Sequence, residues 1–150
     1  MLFLTIYKRN VDKLSCMQVK IDTKEKFHAI TVTEPIFTAD MAAELSDLLL
    51  PYLQNDAPQP GSQTRNIILN LKELQSIDEQ AAEKLVKLQQ KFYETNASFV
   101  ICEMQKPIEK FLDSINLLEI MNSTPTESEA WDIVQMEEIE RDLMDGEESL

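Results

Sequence analysis

The sequence predicts an α/β fold, a mixed sheet of about five strands with four helices lying mainly on one face. Residues 66–71 contain Ile67-Ile68-Leu69 and Leu71, a nearly continuous apolar run of the kind a parallel strand buried on both faces requires. Met41, Ala42, Leu45, Leu48, Leu49, Tyr52 and Leu53 recur at helical spacing, as do Ala81, Leu85, Leu88 and Phe92. After a first hairpin, helical and extended segments alternate, which implies parallel pairing through right-handed crossovers.

The elements follow in order. Residues 1–16 stand apart, as an N-terminal extension or an extra edge strand, and the domain spans 17–144. Gln18-Val19-Lys20-Ile21-Asp22-Thr23 alternates with period two and reads as a half-buried strand. Residues 27–33 form the second strand after a polar connection. Thr38 or Asp40 caps the first helix, and Pro51 bends or ends it. Residues 55–64, with two prolines and Gly61, read as a flexible loop. The third strand occupies 66–71, the second helix 79–94 and the fourth strand 97–102. Pro107 suits the start of a short helix carrying Ile108, Phe111, Leu112 and Ile115. A brief fifth strand is expected within 117–121. Thr126 and Glu129 have capping-box spacing and open a last helix running to about Leu143, with Gly146 as its stop and 145–150 as an acidic tail.

Composition narrows the function. A length of 150 residues fits one domain. No run approaches the roughly 18 apolar residues that span a bilayer. The apolar N-terminus lacks the basic segment and small-residue cleavage site of a signal peptide. An intracellular, cytoplasmic protein without direct membrane insertion is expected. Cys16 and Cys102 have no metal-binding spacing, and Cys102 reads as a buried free thiol. The single histidine, His28, has no second histidine for a zinc site and reads as strand-edge or solvent-facing.

The net charge of −13 is concentrated at the C-terminus, where residues 127–150 hold ten acidic residues against Arg141 alone. Nucleic-acid binding needs a basic footprint and is disfavoured. A basic protein partner fits the charge, as does a merely solubilising role for the acidic end. Only Gly61 and Gly146 occur, so neither a P-loop nor a dinucleotide fingerprint can be built. No enzyme activity and no cofactor are expected.

The segment from Leu69 to Glu83 reads as a buried strand, a polar loop and an acidic helix start. Asp78 offers an oxygen to the free N–H groups of the first turn, and Glu79 and Glu83 place negative charge near the positive end of the helix dipole. This pattern resembles the core motif of the STAS domain, the fold of bacterial anti-sigma-factor antagonists. Further resemblance lies in Phe99-Val100-Ile101-Cys102, in Ile108 to Leu118 with Asn116-Leu117 where the family often has Gly-Leu, and in Thr126 to Trp131. The family carries a phosphorylatable Ser or Thr after the Asp. Here Glu79 stands there, Gln80 replaces a frequent second hydroxyl and Ala81 a frequent glycine.

The resemblance implies a regulatory protein-interaction module of the kind that regulates transcription, without the phosphorylation switch at Glu79. Its partner surface would comprise Ser76, Asp78, Glu79, Gln80 and Glu83. Its partner would be an anti-sigma factor, a histidine-kinase-like ATPase or another regulator. Three roles for Glu79 stay open: an imperfect mimic of the phosphorylated residue, a contact for a different basic partner, or a helix-start residue only. The alternative function is a structural STAS-like subunit of a larger assembly, such as a transporter or a lipid-trafficking complex.

Overall fold

The computed structural model describes residues 4–8, 18–54 and 64–148. Strands β1 (Leu4–Lys8), β2 (Gln18–Thr23), β3 (His28–Val32), β5 (Ile67–Asn70), β7 (Phe99–Cys102) and β8 (Ser123–Thr124) form one sheet in the order β1-β2-β3-β5-β7-β8. The pairs β1–β2 and β2–β3 are antiparallel, and every later pair is parallel. The two-residue strands β4 (Ile36–Phe37) and β6 (Ser76–Ile77) pair separately, in parallel. Helices α1 (Ala39–Leu49), α2 (Glu79–Glu94), α3 (Lys106–Ser114) and α4 (Glu127–Glu148) complete the fold. The expected loop at 55–64 lies, apart from Thr64, outside the described residues.

Period-two alternation in the central strands sends side chains to two cores. Ile30, Ile67, Leu69, Phe99 and Ile101 belong to the larger core, with Leu45 and Leu49 of α1, Leu85 and Phe92 of α2, and Ile108 and Leu112 of α3. Ala29, Ile68, Val100 and Cys102 point the other way, under Ala130 and Val134 of α4. Three helices therefore cover one face and α4 covers the other. All four residues of β5 are buried because it lies between β3 and β7 with helices on both sides.

Local chemistry sets most element ends. The Thr38 hydroxyl accepts from the Met41 N–H at 3.3 Å and caps α1. The α-helix gives way to a 3-10 turn at Leu50–Gln54, where Pro51 cannot donate to the helical ladder. Asn116, after α3, has φ of 63°, the left-handed region that a glycine adopts without strain and asparagine tolerates best among the rest.

Three expectations need correction. The brief strand is not within 117–121. Leu118–Ile120 form a 3-10 turn that packs Leu117, Leu118 and Met121 on the larger core, and the edge strand is β8, with Ile101 opposite Ser123 and Cys102 opposite Thr124. Gly146 does not stop α4, which continues to Glu148; an interior glycine costs a helix only about 1 kcal/mol.

His28 is not solvent-facing. It is fully buried, with its ring centroid 4.4 Å from that of Tyr52. Its Nε2 lies 3.0 Å from the Thr64 carbonyl, which only accepts, so Nε2 carries the proton; Nδ1 then accepts from the Thr23 hydroxyl at 3.0 Å. Burial holds the pKa of His28 below its ordinary 6.5, against an opposing effect of the Thr64 hydrogen bond.

The sign of the pH dependence follows. Well above pH 6.5 the ring is neutral in both folded and unfolded chains and contributes nothing to the slope. Below it the unfolded chain takes up a proton that the folded chain does not, so stability falls by up to about 1.4 kcal/mol per pH unit until the folded-state value is reached. Urea unfolding at pH 7 and just below 6 is expected to show this loss in the wild type and a shallower one in His28→Gln. Equal slopes would mean that His28 does not titrate differentially.

Candidate protein-binding surface at the start of α2

The parallel strands β3, β5 and β7 end at one edge of the sheet, and the chain enters α1, α2 and α3 from that edge. The β5–α2 connection is fastened to the β3–α1 connection rather than left free. The N–H groups of Gln75 and Ser76 both donate to the Pro35 carbonyl, at 2.7 and 3.0 Å, and Asp78 N–H donates to Phe37 O at 3.2 Å. The β4–β6 pairing places Ile36 opposite Ser76 and Phe37 opposite Ile77. Phe37 and Ile77 turn inward and are buried, which leaves Ile36 and Ser76 facing out. From α2, Lys84 reaches across to the Ala39 carbonyl of α1 at 3.4 Å.

Asp78 is the N-cap of α2. Its Oδ1 accepts from the Ala81 N–H at 2.8 Å, and its carbonyl accepts from the Ala82 N–H. Ala81 is fully buried, so the helix start sits close on the core. The next residues point away: Glu79, Gln80 and Glu83 are exposed, as are Ser76 and Asp78. Ser76, Glu79, Gln80 and Glu83 make no side-chain hydrogen bond or ion pair with another described residue. The structure thus brings all five sequence-predicted residues to one patch and separates their work. Asp78 is spent on the helix end, while the Glu79 and Glu83 carboxylates are offered to solvent beside the positive end of the helix dipole.

Ile36 belongs to the same patch and was not predicted from sequence. It is 55% exposed and sits beside Ser76. Pro35 just before it was the available signal, since proline forces an extended entry. An exposed apolar residue next to exposed carboxylates gives the patch an apolar anchor as well as charge.

Other groups with chemical potential are withdrawn. The Cys102 thiol is buried, and its pKa is pushed up to about 12 by desolvation, then by the nearby Glu127 and Glu103 carboxylates. A thiol so far from ionising is a poor nucleophile. The Tyr93 hydroxyl donates to the Glu137 carboxylate at 2.9 Å, and burial raises its pKa well above the ordinary value, with the Glu137 charge adding to the rise. Among the described residues no group of acidic, histidine or cysteine side chains could hold a metal ion, and no helix is long and apolar enough to cross a membrane.

This topology is that of a STAS domain. The STAS domain family model matches residues 18–130, and the chain belongs to that family. Solved structures agree with it in fold. The Thermotoga maritima protein TM1081, a candidate anti-sigma factor antagonist, matches with a TM-score of 0.63 at 18% identity, over 77% of this chain and 86% of its own. The anti-sigma factor antagonist SpoIIAA of Bacillus, in its unphosphorylated form, matches with a TM-score of 0.58 at 13% identity, over 78% and 96%. The murine anion transporter Slc26a9 matches with a TM-score of 0.59 at 12% identity, over 75% of this chain but only 18% of the transporter. Among curated proteins no relative matches the sequence.

Proposed function

We propose that this STAS domain is a non-enzymatic, cytoplasmic regulatory module that binds a protein partner through Ser76, Asp78, Glu79, Gln80 and Glu83, and that the fixed charge of Glu79 replaces a phosphorylation switch there. The observation that carries the reading is the exposed Glu79 carboxylate, unpaired among the described residues, directly after the capping Asp78. SpoIIAA exists in unphosphorylated and phosphorylated forms. Position 79 has no hydroxyl to esterify, so the same control cannot operate at that residue. A glutamate supplies about one negative charge where a phosphoserine supplies about −1.5 to −2. The partner that fits is a regulator of the anti-sigma-factor or histidine-kinase-like ATPase kind, offering lysine or arginine to Glu79 and Glu83.

The test is calorimetric titration of the partner recovered from the native cell against three variants. Glu79→Lys is expected to weaken binding by about tenfold or more, beyond the effect of Glu79→Gln, and the loss should shrink as salt rises. If Glu79 instead acts as a phosphate mimic that blocks a kinase-like partner, Glu79→Ser should gain binding to an anti-sigma kinase. Equal affinity for all variants would leave Glu79 as a helix-start residue, worth about 0.3–1 kcal/mol of stability, and the interface would lie elsewhere.

The match to a part of the anion transporter Slc26a9 supports a second reading, a structural STAS domain within a larger assembly such as a transporter or a lipid-trafficking complex. In that case the recovered partner would be a membrane protein whose binding is indifferent to all three substitutions.

A further inference from the structure

Helix α4 is apolar on two opposite sides. Ala130 and Val134 face the sheet and are fully buried. Met136, Ile139 and Leu143, spaced three and four residues apart, share the outward side and are 60%, 58% and 64% exposed. Spacing of that kind forms a continuous seam on one side of a helix, the pattern by which one helix packs against another. Among the described residues nothing covers it. The seam is flanked by the exposed carboxylates of Glu140 and Asp142 and runs at its N-terminal end into those of Asp132 and Glu129. The single cation of α4 is not among them. Arg141 turns inward, with NH1 3.2 Å from Ser98 Oγ and NH2 3.3 Å from Asn66 Oδ1.

We propose that this outward seam of α4 is a second protein-binding surface, distinct from the start of α2, and that it receives a basic amphipathic helix of a partner protein. The apolar seam supplies the anchor and the acidic borders supply the selection. A second copy of the same helix would set Glu and Asp against Glu and Asp, which like-charge repulsion disfavours, whereas lysine or arginine on both flanks of an apolar stripe matches the borders. The inward turn of Arg141 removes the one positive charge that would blunt that selection.

The probe is a short synthetic leucine–lysine peptide with helical amphipathic spacing, titrated calorimetrically into the full chain. Its controls are the same composition in scrambled order and a leucine–glutamate counterpart. One peptide per chain is expected to bind, with an affinity that falls as salt rises. The triple variant Met136→Ser, Ile139→Ser, Leu143→Ser keeps every charge, alters only exposed positions and is expected to lose roughly tenfold or more in affinity. Glu79→Gln is expected to leave this binding unchanged, which separates the seam from the patch on α2. Equal affinity of the triple variant, equal binding of the scrambled peptide, or a loss caused by Glu79→Gln would overturn the proposal. So would sedimentation of the native chain as a dimer that the triple variant dissociates, because a second copy would then occupy the seam.

Discussion

Leu69→Asp is expected to abolish folding. Leu69 is fully buried in β5, with Ile30 of β3 on one side and Ile101 of β7 on the other in the sheet register. Its side chain enters the larger core, among apolar groups of α1 and α2. An uncompensated buried carboxylate costs several kcal/mol, against a total stability of about 5–15 kcal/mol for a domain of this size. Leu69→Ala, which introduces no charge, is expected to cost about 2–5 kcal/mol and to remain folded. Circular dichroism melts of the two variants make the comparison. A cooperative transition in Leu69→Asp within a few degrees of wild type would mean that residue 69 does not sit inside the sheet.

How far such positions can be read from sequence depends on the range of the interactions that fix them. The strand at 66–71 was legible because burial on both faces writes itself as consecutive apolar residues. Helix α2 was legible because its amphipathic spacing and its cap at Asp78 are both local. The same locality made Asp78, Glu79, Gln80 and Glu83 recognisable as a helix start.

His28 was misread because its burial depends on Tyr52 and Thr64, residues distant in sequence that close over it. Ile36 was missed for a related reason, since its place beside Ser76 comes from the β4–β6 pairing of two separate connections. The edge strand was displaced because Ser123-Thr124 has no apolar alternation, while the apolar residues before it reach the core from a 3-10 turn. Helix α4 hid its sheet-facing side, because the residues it buries there include the small Ala130 and Val134 while larger apolar groups face outward.

Asn66→Leu is expected to cost about 3 kcal/mol, a fall in melting temperature on the order of 10 °C for a chain of this length. Asn66 is buried just before β5 and ties three parts of the fold together. Its Nδ2 donates to the Lys26 carbonyl at 3.0 Å and to Glu138 Oε2 of α4 at 2.6 Å. Its Oδ1 accepts from the Ser98 N–H, just before β7, at 2.9 Å and from Arg141 of α4 at 3.3 Å. Leucine has the same branched skeleton and none of these polar groups, so it strands the buried Ser98 N–H and removes two charge-assisted contacts to α4. A stranded buried donor alone costs about 1–3 kcal/mol. Lys26 can still pair with Glu138, whose oxygen lies 3.6 Å from its Nζ, which keeps the loss from being larger.

The Asn66→Asp variant separates the two sides of the clasp. It retains an acceptor for Ser98 and Arg141 but sets a second carboxylate against Glu138. Its stability should therefore improve as pH is lowered far enough to protonate one of the pair, and Glu138→Gln should rescue it in part at neutral pH. Urea titrations of the single and double variants measure the coupling directly. If Asn66→Asp were as stable as wild type at neutral pH, with or without Glu138→Gln, the clasp between Asn66 and α4 would contribute nothing, and α4 would be held by its other contacts, among them the packing of Ala130 and Val134 and the hydrogen bonds of Tyr93 to Glu137 and Asn70 to Glu127.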